Sequence, residues 1–125
     1  MFKRNCIFVG SFSVLFFFVI VHSIFSQSYT RVIELKNPTR MNGQDVLILQ
    51  NRLLSLWFDN IGEADGFYGP LVESAIKSIQ AFSGFKSDGK VNKMLWDYIF
   101  NNDNTEILRN ISIVSTYDSM ELLKT

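Results

Sequence analysis

The sequence predicts a compact all-α fold of three short helices with an internal turn–helix repeat, preceded by a hydrophobic N-terminal segment. Apolar residues after Pro70 recur at the spacing of one helix face, namely Val72, Ala75, Ile76, Ile79 and Phe82. The turn signals Asp65-Gly66 and Asp88-Gly89 lie 23 residues apart, and each precedes a helical pattern. A turn–helix unit that occurs twice indicates an internal repeat.

The first 26 residues have the pattern of an export signal. Lys3 and Arg4 precede a long apolar run from Cys6 to Ile24, and serines lie around its end. A positive segment, an apolar segment and small residues are typical of a cleaved signal peptide, which we expect over residues 1–26. The run is close to the ~20 residues that span a bilayer, so an uncleaved N-terminal anchor through residues 6–24 is the alternative.

Charge and cysteine content narrow the possible partners. Removal of residues 1–26 takes away Lys3 and Arg4 and no acidic residue, which leaves a net charge of −2. Because no basic cluster remains, we expect neither nucleic acid nor an anionic membrane surface as a partner. The single cysteine, Cys6, lies in the export segment, so the exported domain is expected to have no disulfide and to depend on its core.

The lead-in, residues 27–34, is followed by the first helix. The apolar stretch from Val32 to Leu35 is predicted to be a short extended segment, and the helix to begin near Asn42 or Gln44. Beside its main apolar stripe lies a second strip of Leu47, Ile48 and Leu54. Either the C-terminal tail covers this strip, or it is an exposed patch for a partner.

Two more helices and a tail complete the chain. The second helix is predicted from about Pro70 to Ser83, with Gly84 in a good position to end it. The third is predicted from about Lys93 to Phe100. In the tail, residues 102–125, the structure is uncertain. Residues 111–116 are predicted as a strand and residues 119–124 as a helical turn or two.

The ordered motifs resemble the small three-helix peptidoglycan-binding domain found beside cell-wall hydrolases. Members of that family have Gly, then Asp-Val, then Leu-Gln-x-x-Leu, followed by Asp-Gly-x-Phe/Tyr-Gly-Pro. The later motifs are an Ala-Val/Ile-x-x-Phe-Gln segment, a second Asp-Gly-x-Val and a final Trp with an aliphatic residue three positions later. The matching residues are Gly43, Asp45-Val46, Leu49 to Leu53, Asp65 to Pro70, Ala75 to Gln80, Gly84 to Val91, Trp96 and Ile99. The resemblance implies this fold over residues 35–101.

Some positions depart from the family pattern. Trp57 stands where the family usually has the Gly that ends helix one, so the turn is expected to close differently. Val72 and Leu95 replace the usual threonines, which removes hydroxyls that could contact a ligand. Asn92 replaces a Gly, and Ile79 replaces an aromatic core residue. All five departures are compatible with the fold.

Candidate ligand contacts are polar and aromatic residues at the turns, expected to be exposed. They are Asp65, Tyr68, Gln80, Asp88 and Trp57. Tyr68 offers a flat face and a hydroxyl, which suit a sugar or a peptide. Each residue also has a structural alternative: the aspartates cap turns, Tyr68 and Trp57 pack, and Gln80 bonds loop backbone from within the fold.

The sequence argues against catalysis. His22 is the only histidine and lies in the export segment, so the exported part has neither the Cys–His nor the Ser–His–Asp arrangement, nor a zinc site built on these ligands. Glu63 and Asp65 are the two carboxylates that a glycosidase would require, but a solvated turn explains them. We therefore expect no enzyme activity, no metal and no cofactor.

The function expected is that of an exported, non-catalytic module that binds peptidoglycan, through its stem peptide or its glycan, in the periplasm, the cell envelope or outside the cell. The alternative is an envelope module that retains the fold but binds a protein instead of the wall. A small wall-degrading enzyme acting through Glu63 and Asp65 is the third reading.

Overall fold

The computed structural model describes residues 28–124, which form four α-helices and two short 3₁₀ turns. The helices are α1 (Gln44–Ser55), α2 (Pro70–Phe82), α3 (Lys93–Phe100) and α4 (Thr105–Leu122). The 3₁₀ turns are Asp59–Ile61 and Asn102–Asn104. This part of the chain has no strand, only two isolated antiparallel bridges. The predicted export segment, residues 1–26, lies outside the described residues.

The three predicted helices are confirmed, and local chemistry explains their starts. Pro70 occupies the first turn of α2, where a missing N–H costs nothing. The Asn92 side chain caps α3 by accepting a hydrogen bond from the Leu95 backbone N–H at 2.9 Å. Asp45 lies in the first turn of α1, where a carboxylate interacts favourably with the helix dipole.

The core takes one face from each helix. Its largest fully buried side chains include Trp96, Tyr68 and Phe58, and the remainder are mainly leucines and isoleucines. The centroid of the Trp96 ring lies 4.4 Å from that of Phe100 and 6.0 Å from that of Tyr29, with the Tyr29 and Trp96 rings in an edge-to-face arrangement. Val72 and Leu95, at the two positions where the family usually has Thr, are 2% and 1% exposed, so both side chains serve the core.

The lead-in is part of the fold. Ile33 is fully buried and pairs with Val91 through two backbone hydrogen bonds of 3.1 and 2.8 Å. Next to it, Arg31 donates to both carboxylate oxygens of Asp45, at 2.7 and 3.2 Å. This ion pair, with a further hydrogen bond from Thr30, lowers the pKa of Asp45 below its ordinary value. The lead-in therefore contacts both the start of α1 and the loop before α3.

The tail forms a long helix, so the predicted strand over residues 111–116 is wrong. Leu108 and Ile111 are buried, and α4 packs against α2. Serine and threonine hydroxyls inside α4 donate to carbonyls three or four residues earlier, as Thr116 does to Ser112 at 2.9 Å. Within residues 28–124, no helix is both long and apolar enough to cross a membrane.

The second apolar strip of α1 is largely covered. Ile48 and Leu54 are partly buried and pack against the core, and Leu47 is half-buried. The tail was one expected cover, but α4 packs principally on α2 instead. Arg52 of α1 donates to the Ile99 carbonyl of α3 at 2.9 Å and to the Thr105 hydroxyl at the start of α4 at 3.2 Å, so it connects α1 to both helices.

Candidate functional site

A buried glutamine of α1 holds the first Asp-Gly loop, in an arrangement that we call the first clasp. The Gln50 amide accepts from the Gly66 N–H at 2.7 Å and donates to the Asp65 carboxylate at 2.9 Å and to the Phe67 carbonyl at 3.2 Å. Asp65 in turn accepts from the Phe67 N–H at 2.9 Å. These four hydrogen bonds form one small network.

The second clasp repeats these bonds with the glutamine of α2. The Gln80 amide accepts from the Gly89 N–H at 2.8 Å and donates to the Asp88 carboxylate and to the Lys90 carbonyl, both at 3.0 Å. Asp88 accepts from the Lys90 N–H at 2.9 Å. The repeated structural unit is thus a helix glutamine together with the Asp-Gly loop that follows it.

The clasps lower the pKa of both aspartates. For Asp65, the main cause is the hydrogen bond from Gln50, followed by the bond from the Phe67 N–H. For Asp88, the main favourable contribution is the bond from the Lys90 N–H, with a further one from Gln80. Hydrogen bonds to a carboxylate favour its charged form, so both loops are held by ionised aspartates.

Tyr68 joins the two clasps and is fully buried. Its hydroxyl donates to the Gly89 carbonyl at 2.7 Å, and its backbone N–H donates to the Met41 carbonyl at 2.8 Å. Burial raises the pKa of Tyr68 well above its ordinary value. The expectation that Tyr68 is an exposed turn residue is therefore wrong, because its hydroxyl is needed to pair a backbone carbonyl inside the fold.

The other predicted contacts are divided between the core and the surface. Gln80 is 3% exposed, so the expectation that it is exposed is also wrong. Asp88 is half-buried, while Asp65 and Trp57 are exposed. The structure brings Gln80 and Asp88 together in the second clasp, but it places Trp57 away from both clasps, at the end of α1. Binding of a ligand by any of these residues remains a prediction.

Trp57 ends α1 in the left-handed region of backbone conformation, with φ of 70°. Its N–H donates to the Leu54 carbonyl at 3.0 Å, and the Phe58 N–H donates to the Leu53 carbonyl at 3.1 Å. These are the two bonds of a Schellman helix end. Gly84 occupies the same place after α2, with φ of 75°. A residue with a Cβ costs about 1–2 kcal/mol more there than glycine.

The first clasp borders a cleft of about 270 Å³ at the start of α2. The charged side chains of Arg40 and Glu63 line it beside Asp65, and Phe67 and Leu71 add apolar surface. Those two side chains are 44% and 58% exposed. Sequence reasoning missed Arg40, Phe67 and Leu71 as site residues. Their position next to the Asp-Gly-x-Tyr-Gly-Pro motif was the signal that could have indicated them.

Two further clefts lie on either side of Trp57, between the end of α1 and α4. One, of about 460 Å³, is lined by Trp57 and by polar residues of the 3₁₀ turn Asn102–Asn104 and of the start of α4. The other, of about 360 Å³, is lined by Trp57 and a more apolar part of α4 that includes Tyr117 and Met120. The Arg109 guanidinium carbon lies 4.6 Å from the centroid of the Trp57 ring. Residues 28–124 contain no cluster of three potential His, Cys, Asp or Glu metal ligands.

Comparison with known families confirms the resemblance read from the motifs. Residues 42–99 match the family described as "Putative peptidoglycan binding domain". The match includes both Asp-Gly motifs and the final Trp96 and Ile99. The match covers slightly less than half of the 125 residues. Searches of curated proteins and of solved structures found no match.

The segment that matches the family begins just before α1 and ends at Ile99 in α3. It therefore includes both clasps, the loop after α1 and most of the cleft at Asp65. Arg40 and the lead-in precede it, and α4 follows it. The clefts at Trp57 are thus formed partly by the family domain and partly by the tail helix that lies outside the match.

Proposed function

We propose that this chain is an exported, non-catalytic module that binds peptidoglycan through the cleft at Asp65. The observation that carries the proposal is a mixed-charge cleft beside the first clasp of a peptidoglycan-binding family domain. Export rests on the pattern of residues 1–26. The non-catalytic reading rests on the residue types in the sequence, and the location is the periplasm or the cell envelope.

The chemistry of the cleft suits a wall peptide. Arg40 is exposed and, among residues 28–124, forms no ion pair within bonding distance, although its charge stabilises the Asp65 carboxylate. A guanidinium binds a carboxylate through paired hydrogen bonds. The exposed Glu63 carboxylate in the same cleft has the opposite charge and can accept hydrogen bonds from an ammonium group. Stem peptides carry both kinds of group, and the apolar surface of Phe67 and Leu71 suits their short aliphatic side chains.

The cleft lies on a rigid support. Asp65 and Phe67 are held by the first clasp, and the Met41 carbonyl next to Arg40 accepts from Tyr68. Pre-organised groups bind with a smaller loss of conformational entropy than mobile ones. We therefore assign recognition to the side chains around the clasp, and assign the clasp itself to positioning them.

Sedimentation with purified insoluble peptidoglycan tests the proposal. The full chain, in a detergent without a sugar headgroup, is expected in the pellet at low salt. Phe67→Ala removes apolar surface from the cleft and should weaken binding by about tenfold, since burying one large apolar side chain contributes about 1.5–3 kcal/mol. Phe82→Ala is the matched control, because Phe82 is 60% exposed and does not line the cleft. A wild-type protein that stays in the supernatant at low salt contradicts the proposal.

Export has its own test. N-terminal sequencing of the protein recovered from the envelope is expected to begin near Gln27. A mature protein that begins at Met1 would instead support the uncleaved anchor. Turnover of labelled wall tests the catalytic alternative: activity that disappears in Glu63→Gln combined with Asp65→Asn would overturn the non-catalytic assignment.

A protein-binding role is the second candidate, because α4 has apolar side chains on its exposed surface. Ile113, Tyr117 and Met120 lie at the spacing of one helix face in α4 and are 43%, 72% and 53% exposed. They line the more apolar cleft beside Trp57. An envelope protein that co-purifies in fixed proportion after digestion of the wall, and is lost in Tyr117→Ser, would favour this role. A solitary protein would not.

A further inference from the structure

We propose that Trp57 and the polar side chains of the 3₁₀ turn Asn102–Asn104 and the start of α4 form a second binding site, which takes the sugar chain of the wall. The site would be separate from the cleft at Asp65. The inference deepens the proposed function and rests on it, since it assigns the glycan part of peptidoglycan to one face of the molecule.

Trp57 presents an indole ring that is only partly covered. The side chain is 51% exposed, with Arg109 over the ring at 4.6 Å. The C–H face of a pyranose ring is apolar and packs flat on an aromatic ring, while its hydroxyls stay at the edge. A Trp whose ring is half in solvent and whose backbone holds a strained left-handed conformation supplies such a surface.

Hydrogen-bonding groups surround the ring. Asp103, Glu106 and Asn110 line the larger cleft with Trp57 and are exposed. Among residues 28–124, their side chains form no hydrogen bond or ion pair with the protein. Carboxylates accept from sugar hydroxyls, and the amide of Asn110 both accepts and donates. The combination of an aromatic face with a few polar groups at its edge matches an N-acetylated sugar.

Arg109 adds a donor that the fold does not use. Its Nε is buried and has no hydrogen-bond partner within the described part of the chain. Buried donors are almost always paired, and this one lies on a side chain that lines the cleft. A sugar hydroxyl or acetyl carbonyl that entered the cleft could accept from the guanidinium. The cleft, at about 460 Å³, is within the ~300–1,000 Å³ typical of ligand pockets.

The site depends on the tail helix. Asp103, Glu106 and Asn110 follow the segment that matches the family, which ends at Ile99. Arg52 holds the start of α4 through the Thr105 hydroxyl, and the Asn104 amide donates to the Tyr98 carbonyl at 3.0 Å. These contacts fix the polar groups relative to Trp57. The site is therefore a feature of this chain rather than of the matched domain alone.

The experiment titrates the full chain with the tetramer of N-acetylglucosamine and monitors the two tryptophan indole N–H signals by NMR. The chain has two tryptophans, and Trp96 is 1% exposed. The Trp57 signal is expected to shift with saturation while the Trp96 signal stays. The detergent again has no sugar headgroup. No shift of the Trp57 signal at millimolar saccharide would overturn the inference.

Variants separate binding from folding. Trp57→Leu should weaken saccharide binding at least tenfold, and Trp57→Tyr should restore part of it. Asp103→Asn combined with Glu106→Gln tests the polar groups without touching the ring, and should also weaken binding at least tenfold. Phe82→Leu is the control, because it changes an exposed aromatic residue that lines neither cleft at Trp57. Equal affinity in all four variants would contradict the site.

Sedimentation with the wall distinguishes a failure of the proposed function from a failure of the sugar site. If the wild-type chain does not sediment, the proposed function fails, whatever the saccharide does. If it sediments but the tetramer leaves the Trp57 signal unchanged, only the sugar site fails. Reduced sedimentation of Trp57→Leu without any saccharide shift would assign the Trp57 face to another component of the wall and would also overturn the inference.

Discussion

The first and second clasps hold their Asp-Gly loops with the same four kinds of hydrogen bond, but their surroundings differ. In the first, Trp57 ends the helix and the loop continues into Phe67 and Tyr68 beside an open cleft. In the second, Gly84 ends the helix and the loop continues into Lys90, which pairs with Glu34 at 2.8 Å. The shared bonds serve the architecture, and the differences mark where recognition is expected.

The comparison of the two clasps also indicates a structural role for the Asp-Gly motif. Asp65, Asp88 and Gln80 were candidate ligand contacts, yet the clasps use their polar atoms to hold loop backbone. A carboxylate that accepts two hydrogen bonds from its own fold has less capacity left for a ligand. Under the proposed function, the side chains expected to contact the ligand are instead those that line the cleft beside the motif, such as Arg40 and Phe67.

The largest expected effect comes from removing either glutamine. Gln50→Ala and Gln80→Ala should each lower the free energy of unfolding by about 2–3 kcal/mol, because a buried Gly N–H loses its acceptor in both variants. Urea unfolding measures the change. Gln44→Ala is the control, since Gln44 is exposed. If one clasp variant were as stable as the control, the two clasps would not be equivalent.

The next effect concerns the two helix ends. Gly84→Ala should cost about 1 kcal/mol, because alanine is strained at a φ of 75°. Trp57→Gly should change stability little, since relief of a similar strain offsets the lost contact with Arg109, which contributes about 0.5–1 kcal/mol. The free energies of unfolding of both variants test this. A large loss in Trp57→Gly would mean that Trp57 is retained for stability alone.

A smaller effect tests the link between the clasps. Tyr68→Phe removes the hydroxyl that donates to the Gly89 carbonyl and should cost about 0.5–1.5 kcal/mol, the usual net contribution of a hydrogen bond. The protein should remain folded, because the ring stays in the core. Thermal unfolding gives the value. Unchanged stability combined with loss of wall binding would instead indicate that Tyr68 contacts the ligand.

The smallest effect is the response to acid. The folded state lowers the pKa values of Asp45, Asp65 and Asp88, so these groups stabilise the fold while they are charged. Their contribution is complete above the unfolded pKa of about 3.9 and is lost as the pH falls through the lower folded values. Unfolding followed between pH 2 and pH 7 should show stability that decreases below about pH 4. Constant stability over that range would contradict the assigned hydrogen bonds.

The three helices of the matched domain could be predicted because their apolar spacing, turn residues and Pro70 all agree. The burial of Tyr68 could not, since an aromatic residue after a turn fits the core and the surface equally well. Gln50 and Gln80 each lie in a helix before an Asp-Gly pair. Bonding of loop backbone was one of the alternatives for Gln80, but the same role was not predicted for Gln50. In α4, the β-branched residues Ile111, Ile113 and Val114 favour a strand locally, and packing on α2 overrides that preference.

The most direct test of the account compares two exposed cations, one beside each clasp. The positive charge of Arg40 contributes to the lowered pKa of Asp65, and that of Lys86 contributes to the lowered pKa of Asp88. Only Arg40 lines the cleft at the first clasp. Sedimentation with purified peptidoglycan should show about tenfold weaker binding for Arg40→Ala, the loss expected for a hydrogen bond between charged groups, and wild-type binding for Lys86→Ala. Equal binding by the two variants, whether both weakened or both unchanged, would contradict the assignment of recognition to the first clasp.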